Sequence, residues 1–276
     1  MAELPELETA RRDLDKDLSG KKIKDVEVIG PVKQIVPGAT KKALSDSLSG
    51  MKIVDVRRVG MLLVMGIGDE QSFVIDVGPT GFLQRTASSD VIDDRTQLTI
   101  GFTQGGELRL LDPGDGARVS VVATENLEEA FPEMLPMGFD PIEEPMSWTA
   151  FGQLLVPQNR KLKGLLMDDS FVVGLGPIYS DEILHAALLR HDRIGSKLIT
   201  QEIRRLYRAI VETVHNACKH RGVSIGDMVD VFGESGGYDE YIEVYGRVGE
   251  RSRNGRGDVM QSRVGGIPHY YCDYQV

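Results

Sequence analysis

Chemistry in this 276-residue chain could begin at its first residues, MAELPELETARRDL. Ala2 is small, so removal of Met1 is expected to expose a primary α-amine, whose ordinary pKa is about 7.7–8.0. Such an amine can form a Schiff base, and Glu3 beside it, with Glu6 one helical turn on, could move the protons this requires. By residue type alone, a Glu at a charged N-terminus is most often simply solvated. A second candidate is the cluster Arg251, Arg253, Arg256 and Arg263 near a Gly-rich tip, which could contact a phosphate backbone, although a solvated turn is the commoner meaning. The histidines His185, His191, His215, His220 and His269 show no metal-ligand spacing. Cys218 and Cys272 make neither a disulfide framework nor a zinc site on their own.

The elements that must position these groups fall into two halves. A helix follows the opening residues and ends at Gly20. The runs KKIKDVEVIG, MKIVDVRRVGMLLVMGIG, QSFVIDVG and TQLTIGFTQGGELRLLD are β-branched and apolar, broken by Gly, Asp and Pro. They predict an antiparallel sandwich or barrel, with ATKKALSDSLSG a helix between two strands. A proline-rich acidic linker spans 126–145. Beyond it, SWTAFGQLLV, the stretch 159–189 and TQEIRRLYRAIVETVHNACKHRG read as helices. Within 159–189, Leu162, Leu165, Leu166, Ile178, Ile183, Leu184 and Ala187 recur at helical spacing around Gly174-Leu175-Gly176, where glycines permit positive φ and close backbone approach. Pro177 suits a first helical position. Lys219, His220 and Arg221 suit the C-terminal dipole of the last helix. The tail reads as a β-hairpin turning near Asn254-Gly255. The expected partition is 1–125, a β domain; 126–145, a linker; 146–235, a helical domain; and 236–276, a hairpin.

Length allows two cores. No apolar run reaches the roughly 18 residues of a membrane span, and the charged start is no signal peptide, so a cytoplasmic protein without membrane contact is expected. The net charge of −10 is unevenly spread. Residues 1–145 hold 16 Lys+Arg against 26 Asp+Glu, and residues 146–276 hold 16 of each. Phosphate binding needs a positive face, which this chain can build only locally.

Several segments together resemble the formamidopyrimidine-DNA glycosylase and endonuclease VIII family. MAELPELETARRDL resembles its MPELPEVETxRRxL start; VRRVGMLLV and DVGPTGFL resemble RRxGKxLL and HLGMTGxL. LKGLLMDDSFVVGLGPIYSDEILHAA resembles IKxxLLDQxxxAGIGNIYADExLxxA, the helix-two-turn-helix motif. VYGRVGE and GGIPHYYCDYQ resemble the flanks of its zinc finger. The resemblance runs from residue 2 to residue 275 and implies an α+β fold of two domains: an N-terminal β-sandwich with flanking helices, then a helical domain with the helix-two-turn-helix and a β-hairpin finger. It also implies DNA contacts at Lys163, with Arg160 and Lys161 beside it, and at Gly174, Gly176 and the finger arginines.

The same resemblance locates departures. The family's nucleophile is an N-terminal proline, here Ala2, while its neighbouring carboxylate is retained as Glu3 and Glu6 also matches. The phosphate-contacting lysine is Met61. The histidine and methionine of HLGMTG become Asp76 and Pro79. LLDPGDGA aligns with DxRRFG, putting Asp115 and Gly116 where an Arg-Phe wedge would stand. The turn asparagine is Pro177, and the finger arginine is Ile267. Of four zinc cysteines only Cys272 remains, with Ser252, Gly255 and Gln275 at the others, so neither zinc nor any other cofactor is expected.

Two functions therefore compete. In the first, which the joint departures favour, the chain is a homologue of base-excision-repair glycosylase/AP lyases with a degraded site. It would then serve as a non-catalytic or weakly active DNA-binding or protein-interaction module, its affinity for DNA weakened by the acidic N-terminal half. In the second it is an active glycosylase/AP lyase, with the Ala2 amine as nucleophile and Glu3 as acid and base.

Overall fold

The computed structural model describes residues 2–114, 116–132, 137–224, 229–253, 255–264 and 266–276. They form two compact units, Met1–Leu135 with Val223–Gly236, and Pro136–Gly222 with Gly237–Val276. The segment 223–236, grouped with the helical domain on sequence grounds, thus counts with the N-terminal unit.

In that unit, helix α1 (Leu4–Leu18) carries a proline in its first turn, where a missing N–H does no harm. It ends before Gly20, whose φ of +89° is open to glycine. Leu4, Leu7, Leu14 and Leu18 are buried on one side, and the helix packs on β2 (Ile53–Val59). Asp15 fixes the register by accepting from the Val56 amide at 2.8 Å. Truncating a leucine such as Leu14 in this seam costs about 2–5 kcal/mol.

Two four-stranded antiparallel sheets follow. One has the order β1-β6-β7-β5, from β1 (Ile23–Val28), β6 (Thr96–Phe102), β7 (Glu107–Leu111) and β5 (Phe82–Thr86). The other runs β2-β3-β4-β8, with β3 (Leu62–Ile67), β4 (Gln71–Asp76) and β8 (Arg118–Ala123). Leu63, Met65, Ile67, Phe73 and Ile75 of one sheet and Leu98, Ile100, Leu108 and Leu110 of the other share a single core. Because side chains alternate along a strand, Leu62 and Val64 point to the opposite face. There they join Val74 under Leu127 and Phe131. Both faces of β3 are covered, which is why LLVMGI shows no polar alternation. Strands β5 and β8 were not among the expected runs; polar residues dilute FLQRT, and RVSVVA lacks a flanking turn on its C-terminal side. Short helices α2 (Val32–Ile35), α3 (Lys41–Leu48) and α4 (Leu127–Ala130) complete the unit.

The second unit is helical. Ser147 caps α5 (Trp148–Leu155) through the Ala150 amide. Helices α6 (Leu162–Leu166) and α7 (Pro177–Ala186) flank the glycine turn, and α8 (Thr200–Lys219) follows. Phe139, Phe151, Phe171 and Tyr207 form an aromatic cluster with ring centroids 5.7–6.0 Å apart. Helix α8 closes with Arg221 and Gly222 both at positive φ.

The finger consists of β9 (Val259–Val264) and β10 (Ile267–Cys272), paired antiparallel. Its strands pair outward from Val264 and Ile267, not around the expected 254–255. A separate loop, closed by the Arg251–Asp258 bridge, surrounds the latter position; Asn254 itself lies outside the described residues. Asn254-Gly255 and Gly265-Gly266 are both turn-forming dipeptides, so local sequence favoured neither. No helix among the described residues is long and apolar enough to cross a membrane.

Candidate reaction centre and nucleic-acid interface

At the start of α1, Glu3 is buried and forms a capping box with Glu6. Glu6 Oε2 accepts from the Glu3 amide at 2.9 Å, and its Oε1 accepts from the Val223 amide at 2.9 Å. One carboxylate thus fixes the helix N-terminus and ties the 223–236 segment to it. Ala2 lies immediately before this box, half-buried. One turn on, Glu8 is enclosed by Arg11, Arg12 and Arg58. Burial pushes its carboxyl up, but the hydrogen bonds and charges of those guanidiniums outweigh it and hold Glu8 below the usual carboxylate range.

Loops 77–81 and 112–117 lie backbone against backbone. Asp112, fully buried, gathers the second loop: it accepts from the Gly114, Gly116 and Ala117 amides at 2.9, 2.6 and 2.7 Å and from the Thr80 hydroxyl. Burial opposes its ionisation, yet these donors hold its pKa below the ordinary value. A Cβ on Gly116 would meet Pro79 Cδ at 2.8 Å, and one on Gly78 would meet the Gly116 carbonyl carbon at 2.7 Å. Where the resemblance puts void-filling side chains, there is therefore proline packed on glycine; Asp115 lies outside the described residues. Asp76 accepts from the Gly78 amide at 2.9 Å and stands 3.6 Å from Arg118. Met61 packs partly buried against the sandwich core.

In the second unit, Lys163 is not on the surface. It is 3% exposed, donates to the Pro177 carbonyl at 2.7 Å and pairs with Asp181 at 2.6 Å. Lys163 therefore braces the turn instead of offering a free ammonium to phosphate. Arg160 is exposed but bonds Asp168 at 2.6 Å and the Gly164 carbonyl at 3.2 Å. Lys161 is exposed at the N-cap of α6. Gly174, at φ +69°, donates its amide to Asp169 Oδ1 at 2.8 Å. Gly176 is the buried N-cap of α7, and Pro177, at its first position, contributes no N–H of its own.

Two side chains that the sequence reading passed over hold the finger. Glu182 accepts from the Glu243, Val244 and Tyr245 amides at 2.8, 3.0 and 2.8 Å. Asp181 accepts from the Tyr270 amide at 3.0 Å. Burial pushes Glu182 up to about 7 and Asp181 up to about 6, against the pull of those amides and of Lys163. A signal was present: two adjacent acids inside the apolar run IYSDEIL.

The positions of the family's zinc cysteines form a different construction. Gln275 Oε1 accepts from the Cys272 amide and its Nε2 donates to the Leu189 carbonyl, both at 2.7 Å. Cys272 is buried with its thiol against the Ser252 and Tyr274 hydroxyls, and burial pushes its pKa up. Gly255 has no ligating side chain. One raised thiol, a hydroxyl and a committed amide do not make a zinc site, and among the described residues no three His, Cys, Asp or Glu gather to hold a metal.

Of the finger arginines, Arg251 bonds the Gly255 carbonyl at 2.8 Å and Arg253 the Ile242 carbonyl at 3.1 Å, while Arg256 and Arg263 are exposed. Arg247, not singled out from sequence, bonds the Ile242 and Glu243 carbonyls and Glu250. His191 and His269 stack at 4.8 Å, and His185 bonds the Tyr274 hydroxyl at 2.6 Å. Burial pulls His185 and His269 down to about 4, so these rings are neutral near pH 7.

A β-sandwich with a capped N-terminal carboxylate and a separate helix-two-turn-helix unit with a hairpin finger define the architecture of a DNA glycosylase. Residues 1–119 match the sequence model of the formamidopyrimidine-DNA glycosylase N-terminal domain, and 137–228 that of the formamidopyrimidine-DNA glycosylase H2TH domain. The formamidopyrimidine-DNA glycosylase of Pelotomaculum thermopropionicum is 31% identical over 272 residues, covering 99% of this chain and 98% of that protein. That of Heliobacterium modesticaldum is 31% identical over 276 residues, covering 99% and 98%. The Lactococcus lactis Fpg in complex with an abasic site containing DNA superposes with a TM-score of 0.89 at 27% identity, covering 98% of each chain. This chain belongs to the formamidopyrimidine-DNA glycosylase family.

Proposed function

We propose that this chain is a DNA-binding member of its family that has given up base extrusion, with glycosylase activity absent or low. The observation that carries the reading is the Pro79–Gly116 contact. Drawing a base from the stack costs a few kcal/mol, which a side chain entering the hole offsets; this surface offers a flat proline and a glycine. Supporting it, Lys163 is withdrawn into an ion pair and Pro177 has neither side-chain amide nor N–H. DNA is the partner favoured by the relatives, whose solved complexes contain abasic-site and Fapy-dG DNA. Arg256, Arg263 and Lys161 remain exposed for phosphate contacts.

The test is a titration of fluorescent duplexes with and without an oxidised purine, carrying 2-aminopurine beside the lesion. Similar salt-sensitive affinity for both, with no 2-aminopurine brightening, is the expected result. Lesion-selective brightening with release of the free base would overturn the proposal.

A second reading rests on the retained acid. Glu3, buried in its capping box, sits next to Ala2. An abasic sugar has no base to extrude, so an amine there could form a Schiff base without any wedge. Borohydride trapping on abasic-site DNA separates the two readings: an adduct at Ala2 that vanishes when Met1 is retained supports the lyase. No adduct leaves the binding role alone.

A further inference from the structure

Loop 87–95, between β5 and β6, presents two apolar side chains to solvent. Val91 is 91% exposed and Ile92 51%. They do not sit on a loose tip. Arg109, itself buried and bonded to Glu107 at 2.6 Å, donates to the Val91 carbonyl at 2.7 Å and the Asp90 carbonyl at 2.8 Å. Asp90 accepts from the Ala87 amide at 3.0 Å, and Asp93 is clamped by Arg95. A buried guanidinium thus holds out an apolar pair flanked by Asp90, Asp93 and the exposed Asp94. Such pre-ordering lowers the entropy that binding must overcome.

The second unit carries a surface of matching chemistry. Helices α5 and α8 enclose an open groove of about 620 Å³ lined by Trp148, Gly152, Val156 and Ile203, with no acid among its lining residues. One cation stands at it: the Arg204 guanidinium lies 4.0 Å from the centroid of the Trp148 ring. Val156 and Ile199 add exposed apolar surface, 55% and 61% open. The 90–94 loop is acidic and apolar; the groove is apolar with Arg204 at Trp148. Electrostatic complementarity of this kind selects partner and register.

We propose that the occupant of the α5–α8 groove is the 90–94 finger of a second copy of this chain. Val91 and Ile92 fill the apolar floor, and Asp94 meets Arg204. Each copy bears one finger and one groove, so the contact is between unlike surfaces, and it either closes into a two-fold pair or propagates head to tail. Its small area places it in the weak, transient class, with association developing between micromolar and millimolar protein.

The test is sedimentation velocity of the full chain across that concentration range. Wild type is expected to shift towards dimers or longer chains, and Val91→Asp and Val156→Asp each to abolish the shift. Both sites are exposed, so folding is little affected, and circular dichroism melts check this. Asp94→Lys and Arg204→Glu should each weaken association at least tenfold, and the double variant should recover most of it. A wild type that stays monomeric at every concentration overturns the proposal. So does association indifferent to Val91→Asp, or a groove that binds an unrelated acidic apolar peptide while the chain does not self-associate.

Discussion

Loops 77–81 and 112–117 and the β9–β10 finger both depart in sequence from the family motifs they resemble, and they differ in how their backbones are held. In the finger, buried side chains hold the backbone: Glu182 gathers three amides, Asp181 a fourth, and Gln275 bridges Cys272 to Leu189. In the loops, Asp112 keeps the backbone in order, and Pro79 packs on Gly116. The finger is held by buried side chains reaching across the fold, whereas the loop surface presents a proline packed on a glycine.

That contrast can be broken from either side. The largest effect is expected at Lys163→Met, which leaves Asp181 buried without its cation and should lower stability by about 3–5 kcal/mol, read by chemical denaturation. Adding Asp181→Asn should restore much of it. Asp112→Ala orphans three loop amides and should cost about 2–3 kcal/mol while leaving DNA affinity, measured by fluorescence anisotropy, within twofold. A marked loss of affinity would show that the loop still serves recognition.

A smaller effect concerns pH. Glu182 titrates at about 7 when folded, against an ordinary 4.5. A raised acid contributes stability fully below its unfolded pKa and loses it as pH rises through the folded value. Wild type should therefore lose stability relative to Glu182→Gln between about pH 4.5 and 7. The neutral amide cannot ionise, and its oxygen can still accept from Val244 and Tyr245. His185 and His269, lowered to about 4, tilt the curve the other way, losing stability as pH falls from about 6.5. They do so in both proteins and cancel in the difference, which reports Glu182 together with its interaction with the neighbouring Asp181, itself raised to about 6. The smallest effect is a null: a strong zinc chelator should leave the melting temperature unchanged, and a drop of several degrees would mean that a metal does hold the finger.

Much of this was legible in the residues. The apolar runs and the helical spacing around Gly174-Leu175-Gly176 give strands and helices from local pattern, and the resemblance to the family's motifs gives the architecture. The substitutions at Pro79, Gly116, Pro177, Ser252 and Gln275 are visible one letter at a time. Burial and pairing were not. Lys163 reads as a surface cation and is an internal strut, because only the fold reveals that Asp181 and the Pro177 carbonyl face it. Asp181-Glu182 was passed over and proves to be the finger's anchor, since its partners lie about 60 to 90 residues away in the chain. The hairpin turn was misplaced because two glycine-bearing stretches offered equal local cues.

The Pro79–Gly116 contact also bears on the order in which mutations could be accepted. A bulky residue at 116 meets the proline ring before it can reach outward, and the close approach of Gly78 to the Gly116 backbone leaves little room to retreat. Phenylalanine there would be harmful while Pro79 stands and useful only after it has gone, a sign change between neighbouring sites. The proline thus acts as a ratchet: the first step back towards a wedge lies at position 79, where by itself it would gain nothing.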